Sequence, residues 1–524
     1  MKRLTLLVFT IVVCASGSVA QIGYYNDALK YSRTSAIGSA RTQAIGGAQA
    51  ALGGDINSAY ANPAGLGFNR SSVFTFTPSI NFYNSEAEYF GVTTDDSKAN
   101  FNIANMGVIF SFAASDIETS KFKGGSFAIT MTRENNFHSN ITYDGYNNQE
   151  LGKTSIVDSW IDQAWGTPVE QLGELGLPYD AYYQYLISDY YDPSNPKFTR
   201  YDKYMGFNQD GSVRELGDYP RQYETLKNKG SQYSWDFAGG ANYNDIFYFG
   251  ASLNINSIKY SNENTYSESE FLYNNQNDDV INEVSTQTTL DITGTGVGGT
   301  FGIIARPVDF FRIGISATTP TYYWMNEESS EDLFTSYNNW DYYNPADSTT
   351  TTLEDFYDQY FTDSKYSITT PFKLTTGAAI FLGKLGFISA DVDFIDYSTA
   401  KIKSDDFDVS ADNHAIDSLY QSTINWRVGS EIRVSKFRIR AGYSYDGDPF
   451  VKSSIDNSIR KISGGVGYRN KEFFIDLSAV HATWTTSRSP YTIYSFEAPT
   501  QDISPTAFIK NKNLNVSVTF GVNF

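Results

Sequence analysis

The sequence predicts an all-β fold, an antiparallel transmembrane β-barrel of fourteen strands, and three observations lead to it. Residues 513–524 read N-L-N-V-S-V-T-F-G-V-N-F, so Leu514, Val516, Val518, Phe520, Val522 and Phe524 share one face and small or polar residues share the other. That is the period of a strand with one apolar side. The 524 residues include 39 Tyr and 37 Phe, yet only 19% are charged and the mean hydropathy is -0.36. No internal run approaches the roughly 18 apolar residues of a membrane helix, whereas strands that face lipid on one side and water on the other escape such a count. Finally, the connections between alternating stretches are short and long in strict turn, as when short periplasmic turns alternate with long outer loops.

The elements follow in chain order. Lys2 and Arg3 precede an apolar run from Leu4 to Val13, and Ser18-Val19-Ala20 stands before Gln21. Residues 1–20 therefore read as a secretory signal peptide. The one cysteine, Cys14, lies within it, behind a Val13 that does not suit a lipoprotein site. The mature chain then has no disulfide, no thiolate metal site and no cysteine nucleophile. A net charge of -20 excludes nucleic acid, whose phosphates need a basic surface. Residues 21–70 are rich in Ala and Gly: 39–52 carry apolar residues at helical intervals, Gly53-Gly54 stops them, and 55–58 can start another turn. The region closes on Asn62-Pro63-Ala64-Gly65, a turn signature.

From residue 71 to the end the text alternates. The expected strands span 72–83, 102–115, 122–133, 232–243, 246–260, 288–305, 311–324, 366–382, 387–402, 423–434, 437–445, 460–468, 473–486 and 513–524. Long outer connections are expected at 135–231, 261–287, 325–365 and 487–511. The largest, 135–231, is too long to lack structure of its own: Ile156, Trp160, Ile161, Trp165, Val169 and Leu172 recur at helical spacing, and Tyr182, Tyr183, Leu186 and Ile187 read as a second helix.

Several stretches bear a resemblance. Gly46-Gly47-Ala48 followed by Ala59-Tyr60-Ala61-Asn62-Pro63-Ala64-Gly65 resembles the N-terminal hatch of the FadL/TodX outer-membrane transport family, whose Asn-Pro-Ala motif ends the plug. Thr318-Thr319-Pro320-Thr321-Tyr322 is similar to that family's Thr-Pro-Thr signature. Thr370-Pro371-Phe372-Lys373-Leu374, Asp396-Tyr397-Ser398, Glu431-Ile432-Arg433 and Arg440-Ala441-Gly442-Tyr443 resemble segments of its Bacteroidetes-type members. The resemblance implies that residues 21–70 form a small helical hatch in the lumen, with Asn62, Pro63 and Ala64 as its motif. It also implies a monomer in outer-membrane lipid that takes up hydrophobic small molecules, of long-chain fatty acid or aromatic type, and releases them sideways through the wall. A kink in the third strand would mark the exit, with Gly124-Gly125 and 105–107 as candidates. A second reading, by resemblance to PorV, is a barrel that partners protein secretion or surface attachment.

Two groups of residues stand out. Trp160, Trp165, Tyr182 and Tyr183 of the large loop, with Tyr322, Tyr323 and Trp324 at the strand rim, are the expected ligand contacts; the plainer reading makes them loop core and interfacial girdle. Asp391, Asp393, Arg427, Arg433, Arg438, Arg440 and Asp476 face inward on the alternation. They either pair with one another or latch the hatch, for instance through Asp55 with Arg433 or Arg438, while Arg427 and Lys373 are placed to attract an anionic head group. Catalytic signals are weak. Gly294-Thr295-Gly296-Val297-Gly298-Gly299 fits G-x-G-x-x-G but lies inside a strand with no helix after it. His138, His414 and His481 are far apart, so neither a catalytic nor a metal site is expected, the chain reads as no enzyme, and no cofactor is implied.

Overall fold

Val522 lies opposite Phe473 of the preceding strand and opposite Phe74 of the first, so the sheet closes on itself and has no edge. The computed structural model that gives this register describes residues 23–34, 38–113, 120–147, 154–190, 199–207, 213–215, 220–271, 280–344, 349–493 and 502–524. The signal peptide expected over residues 1–20 lies outside the described residues. Eighteen strand segments belong to one sheet. Four staves of the wall consist of two segments each, so the barrel has fourteen staves, all antiparallel.

These are β1 Val73–Tyr89, β2 Val92–Ala113, β3 Phe122–Asn136 continued by Ser139–Tyr146, β4 Arg221–Tyr243, β5 Phe247–Ser269 and β6 Ile281–Val308. Next come β7 Phe311–Thr318 continued by Tyr322–Tyr337, β8 Phe356–Thr369 continued by Lys373–Phe381, and β9 Gly386–Asp396 continued by Lys401–Lys403. The wall ends with β10 Ser422–Val434, β11 Phe437–Asp446, β12 Ile459–Arg469, β13 Phe473–Arg488 and β14 Ala507–Asn523.

Every expected strand is present, but the outer ends of several reach much further than expected. β1 runs on to Tyr89 and turns at Phe90-Gly91, with φ of 47° and 81°, straight into β2. The connections expected at 261–287 and 325–365 are largely strand, because β5 reaches Ser269, β6 starts at Ile281, β7 reaches Tyr337 and β8 starts at Phe356. Above the membrane both faces of a strand meet polar surroundings, so Ser, Thr, Tyr and Glu alternate without hydropathy contrast. Thr and Tyr still favour extended backbone.

The wall is apolar outside and polar inside. On β1, Thr75, Thr77, Ser79 and Asn81 are buried while Phe74, Ile80 and Phe82 are exposed. The belt continues round the barrel through Phe110, Leu253, Ile303, Ile315, Ile388, Ile439 and Val466. A soluble protein exposes no such band; lipid is the solvent that suits it. This is an outer-membrane barrel.

Above the wall sits a cap. Helices α4 (Ile156–Ala164) and α5 (Leu177–Tyr183) of the large loop pack on the outer ends of β5, β6 and β7 through Trp160, Leu186, Phe271, Val284 and Leu333. Glu268 of β5 holds the start of α4: its carboxylate accepts from the Ile156 N–H at 2.8 Å and from Tyr266 at 2.6 Å. Burial pushes Glu268 up to about 7. A carboxyl that is more basic in the docked loop than in an open one favours docking below the ordinary carboxylate range, and that advantage is lost as pH rises through about 7. Limited proteolysis of the loop is expected to be faster at about pH 8 than at about pH 6, and Glu268→Gln is expected to remove the difference.

Candidate functional site

The lower lumen is filled by residues 38–70. Ser39 caps α2 (Ala40–Ala44) by accepting from the Thr42 N–H at 3.2 Å. The short α3 (Ser58–Ala61) leads into a 3-10 turn, Pro63–Phe68, and Asn62 stands between them. Its Oδ1 accepts from Ala64 N–H at 3.1 Å, while its Nδ2 donates to the Ala50 carbonyl at 2.7 Å and to that of Ile315 on the wall at 3.3 Å. One amide thus fixes the turn, the segment and the barrel together.

The wall is hollowed to receive this backbone. Ser126, Gly240, Gly250, Gly302 and Ser316 stand side by side across β3 to β7. A Cβ on Gly250 would overlap the backbone of Pro63 and Ala64, and one on Gly302 would overlap Asn62. On the far side Ser389, Gly429, Gly442 and Ser463 make a second row across β9 to β12, where a Cβ on Gly429 or Gly442 would overlap Ile45. Strand glycines mark close backbone approach. Gly294 and Gly296 leave room for Met325 and Tyr323 of the neighbouring stave in the same way.

Charge ties the segment to the wall by a route other than the expected one. Asp55 pairs with Arg41 of the segment itself at 3.6 Å, not with Arg433 or Arg438. Arg41 reaches Glu431 of β10 at 3.8 Å, and Glu431 also holds Arg433 and Arg440, both at 2.8 Å; Arg440 continues to Asp476 at 2.6 Å. Arg438 donates to the carbonyls of Ser435 and Phe437 in its own turn. Asp391 accepts from Ala50 N–H at 2.8 Å, and Asp393 pairs with Arg427. Glu431 is two residues from Arg433, so the alternation that placed Arg433 inward places Glu431 there too. That signal was available.

The upper lumen is an aromatic chamber, and a helix occupies it. Tyr260, Ile292, Tyr323, Met325, Tyr366, Ile368, Tyr397 and Tyr420 line it. Helix α1 (Tyr24–Ser32) lies among them, with Ala28 and Tyr31 buried. Asp27 accepts from the Tyr366 hydroxyl at 2.8 Å, Lys30 pairs with Asp27 at 2.8 Å and lies 4.1 Å above the Tyr260 ring, and Tyr420 donates to the Tyr25 carbonyl at 3.0 Å. Tyr24 stacks on Phe407 with ring centres 4.4 Å apart. Between α1 and the lower segment remains a cavity of about 60 Å³ beside Tyr60, Glu134, Thr321 and Lys373. It has room for water, not for a ligand.

The ladder between β2 and β3 is incomplete. β2 and β3 pair only from Asn105–Ala113 to Gly124–Thr132. Register shifts at Thr77/Pro78 in β1 and at Arg133/Asn135 in β3 flank the upper end of that ladder. Above it side chains bridge the staves: Asn136 to Asn100 at 3.3 Å and Thr142 to Asp96 at 2.7 Å. Asn102, Asn105 and Arg133 bury polar atoms there without a partner among the described residues. Of the two candidate kinks, 105–107 marks the end of the ladder and Gly124 a lesser irregularity against β4.

The expected contact residues are distributed over three places. Trp160 is 1% exposed in the loop core, whereas Trp165 and Tyr183 are 37% and 53% exposed and Tyr182 is partly buried. Tyr322 and Trp324 pack edge to face on the outer surface, with ring centres 4.8 Å apart. Tyr323 lies inside the lumen and its hydroxyl accepts from Gln232 at 2.9 Å. His138 falls at the interruption of β3, His414 in α6 (Ser410–Leu419) and His481 on the outer face of β13. Among the described residues no group of His, Cys, Asp and Glu is arranged to hold a metal.

Among solved structures, the Pseudomonas putida toluene transporter TodX superposes with a TM-score of 0.50 at 12% identity, over 93% of this chain and 99% of that one. A Pseudomonas aeruginosa FadL homologue superposes with a TM-score of 0.51 at 11% identity, over 93% and 98%. The chain has the FadL/TodX fold. No known protein family and no curated protein matches it by sequence. The TodX superposition spans nearly the whole chain, loops included.

Proposed function

We propose that this barrel is a passive outer-membrane channel of the FadL/TodX type for hydrophobic small molecules, and that the aromatic chamber filled by α1 is its binding site. The chamber carries the reading. It is apolar in a lumen otherwise lined by Ser, Thr, Asn and charge, and α1, short and attached by a few polar contacts, is an occupant that a greasy ligand can replace. Each CH₂ buried there contributes about 0.8 kcal/mol. The two superposed structures, a toluene transporter and a FadL homologue, support the ligand class: a long-chain fatty acid or a monoaromatic. Trp165 and Tyr183 of the loop are the landing surface. Lys373, at the cavity below α1, takes the head group of an acidic ligand. The lower segment acts as a hatch that blocks an axial path, so the ligand leaves sideways between β2 and β3, where the ladder stops, and passes into lipid. The protein works as a monomer without cofactor.

Joining the two staves tests this reading. Asp96→Cys with Thr142→Cys places a cysteine pair across the seam, and the chain beyond residue 20 has no other cysteine. Cells expressing the pair are expected to take up labelled oleate or toluene when reduced and to fall to the level of cells without the barrel when oxidised. Equal uptake in both states, with the crosslink formed, would overturn the sideways route. Uptake no greater than in cells without the barrel would overturn transport altogether. The occupied chamber would then favour the PorV-like reading, in which the barrel partners secreted proteins.

A further inference from the structure

The turn end of the barrel carries a second cavity, of about 720 Å³, between the hatch and β2 to β8, β10 and β12. Its lining is unlike the rest of this acidic chain: seven cationic side chains face one carboxylate, Asp245. Several of these cations already have partners. Arg41 and Arg433 share Glu431, and Arg306 pairs with Asp309.

Two others are held mainly by aromatic rings. Arg312 lies between the rings of Phe68 and Phe381, 3.9 and 4.3 Å from their centres, and donates through Nη1 to the Leu52 carbonyl of the hatch; no carboxylate pairs with it among the described residues. Arg469 lies 4.3 Å over Phe474, with its nearest carboxylate, Asp476, at 3.9 Å. The Nε of each is buried and has no hydrogen-bond partner among the described residues. Guanidinium groups fixed by stacking are pre-organised for bidentate bonds to an oxyanion, and buried donors left unmet are costly. Phe68, Phe112, Phe122 and Tyr248 give the same cavity an apolar side, and its size suits one small ligand.

We propose that this periplasmic vestibule binds an amphipathic oxyanion, a phosphate or carboxylate on an apolar body, with Arg312 and Arg469 holding the charged group. The site is independent of the uptake reading, since the hatch separates it from the chamber. Because the hatch forms its floor through Leu52, Gly53 and Gly54, the bound anion joins the hatch to the wall. The same chemistry comes from two sources, a free amphipathic anion or a phospholipid head group of the inner leaflet.

Calorimetric titration of the full-length protein in a neutral detergent tests it, with phenyl phosphate, inorganic phosphate and benzyl alcohol as probes. Retention of phosphatidylglycerol is read separately by native mass spectrometry. Saturable binding of phenyl phosphate is expected, weakened at least about tenfold in Arg312→Gln and in Arg469→Gln and unchanged in Arg460→Gln, whose side chain is exposed on β12. Among the described residues Arg469 makes no hydrogen bond or ion pair to the hatch, and an unchanged ion conductance in planar bilayers shows that the hatch of each variant is seated; heat-dependent gel mobility confirms that each barrel is folded. Phosphatidylglycerol retained by the wild type and lost in both variants supports the site with a head group as its source. Inorganic phosphate bound as tightly as phenyl phosphate would overturn the apolar half of the assignment. No saturable binding of either phosphate and no retained lipid, or equal binding in wild type and both variants, would overturn it entirely.

Discussion

Replacing Gly250 by valine is expected to convert a closed barrel into an open pore. The new Cβ would overlap the backbone of Pro63 and Ala64, which has no rotamer with which to yield. Overpacking of this kind costs about 1–3 kcal/mol, and unseating the turn also removes the Asn62 bonds to Ala50 and Ile315, each worth about 1 kcal/mol. The strand itself tolerates valine well, so the wall should assemble while the hatch does not seat. In planar bilayers the wild type should conduct ions poorly and Gly250→Val steadily. A folded variant with wild-type conductance would show that the glycine row does not set the position of the hatch.

Glu431→Ala is expected to give the largest loss of stability of any single substitution in the lumen. Glu431 is the acceptor shared by Arg41, Arg433 and Arg440, and its removal leaves Arg440 with Asp476 alone and Arg41 with Asp55 alone. Removing one partner of a buried ion pair costs about 3–5 kcal/mol, because the other charge stays buried. Arg433→Ala removes a more exposed partner and should cost far less. The check is the temperature at which the folded, fast-migrating band disappears from a denaturing gel. Equal midpoints for Glu431→Ala and the wild type would refute the network's role.

The wall was legible in the sequence because its two faces meet different solvents. Alternation of Leu514, Val516 and Val518 with Asn and Ser is imposed by lipid, and it survives in every stave at membrane depth. It fails above Tyr83 and Tyr260, where no lipid enforces contrast and the strands continue on Thr, Tyr and Glu. Inward charge was legible from parity, but pairing was not: Arg41 sits in a helix whose placement depends on tertiary contact. The aromatic chamber was missed for a related reason. Tyr260, Tyr323 and Tyr366 come from three staves and Tyr420 from the end of α6, and they meet only once register is fixed. Trp160 was selected by helical spacing, which identifies a buried stripe as readily as a surface one.

The two rows of small residues also bear on how the molecule is made. The hatch rests against β4 to β7 on one side and β9 to β12 on the other, and it bonds through Ala40 to Thr519 of β14, the stave that completes the ring. A rigid wall that fits its contents so closely on opposite sides admits them before it shuts more readily than after. The N-terminal segment precedes every stave in the chain and β14 follows the others, so the segment is available as a template while the staves are laid down in sequence around it, and the pairing of Phe74 with Val522 seals it in. Winding of the sheet around the N-terminal segment is the order of assembly that this close fit favours.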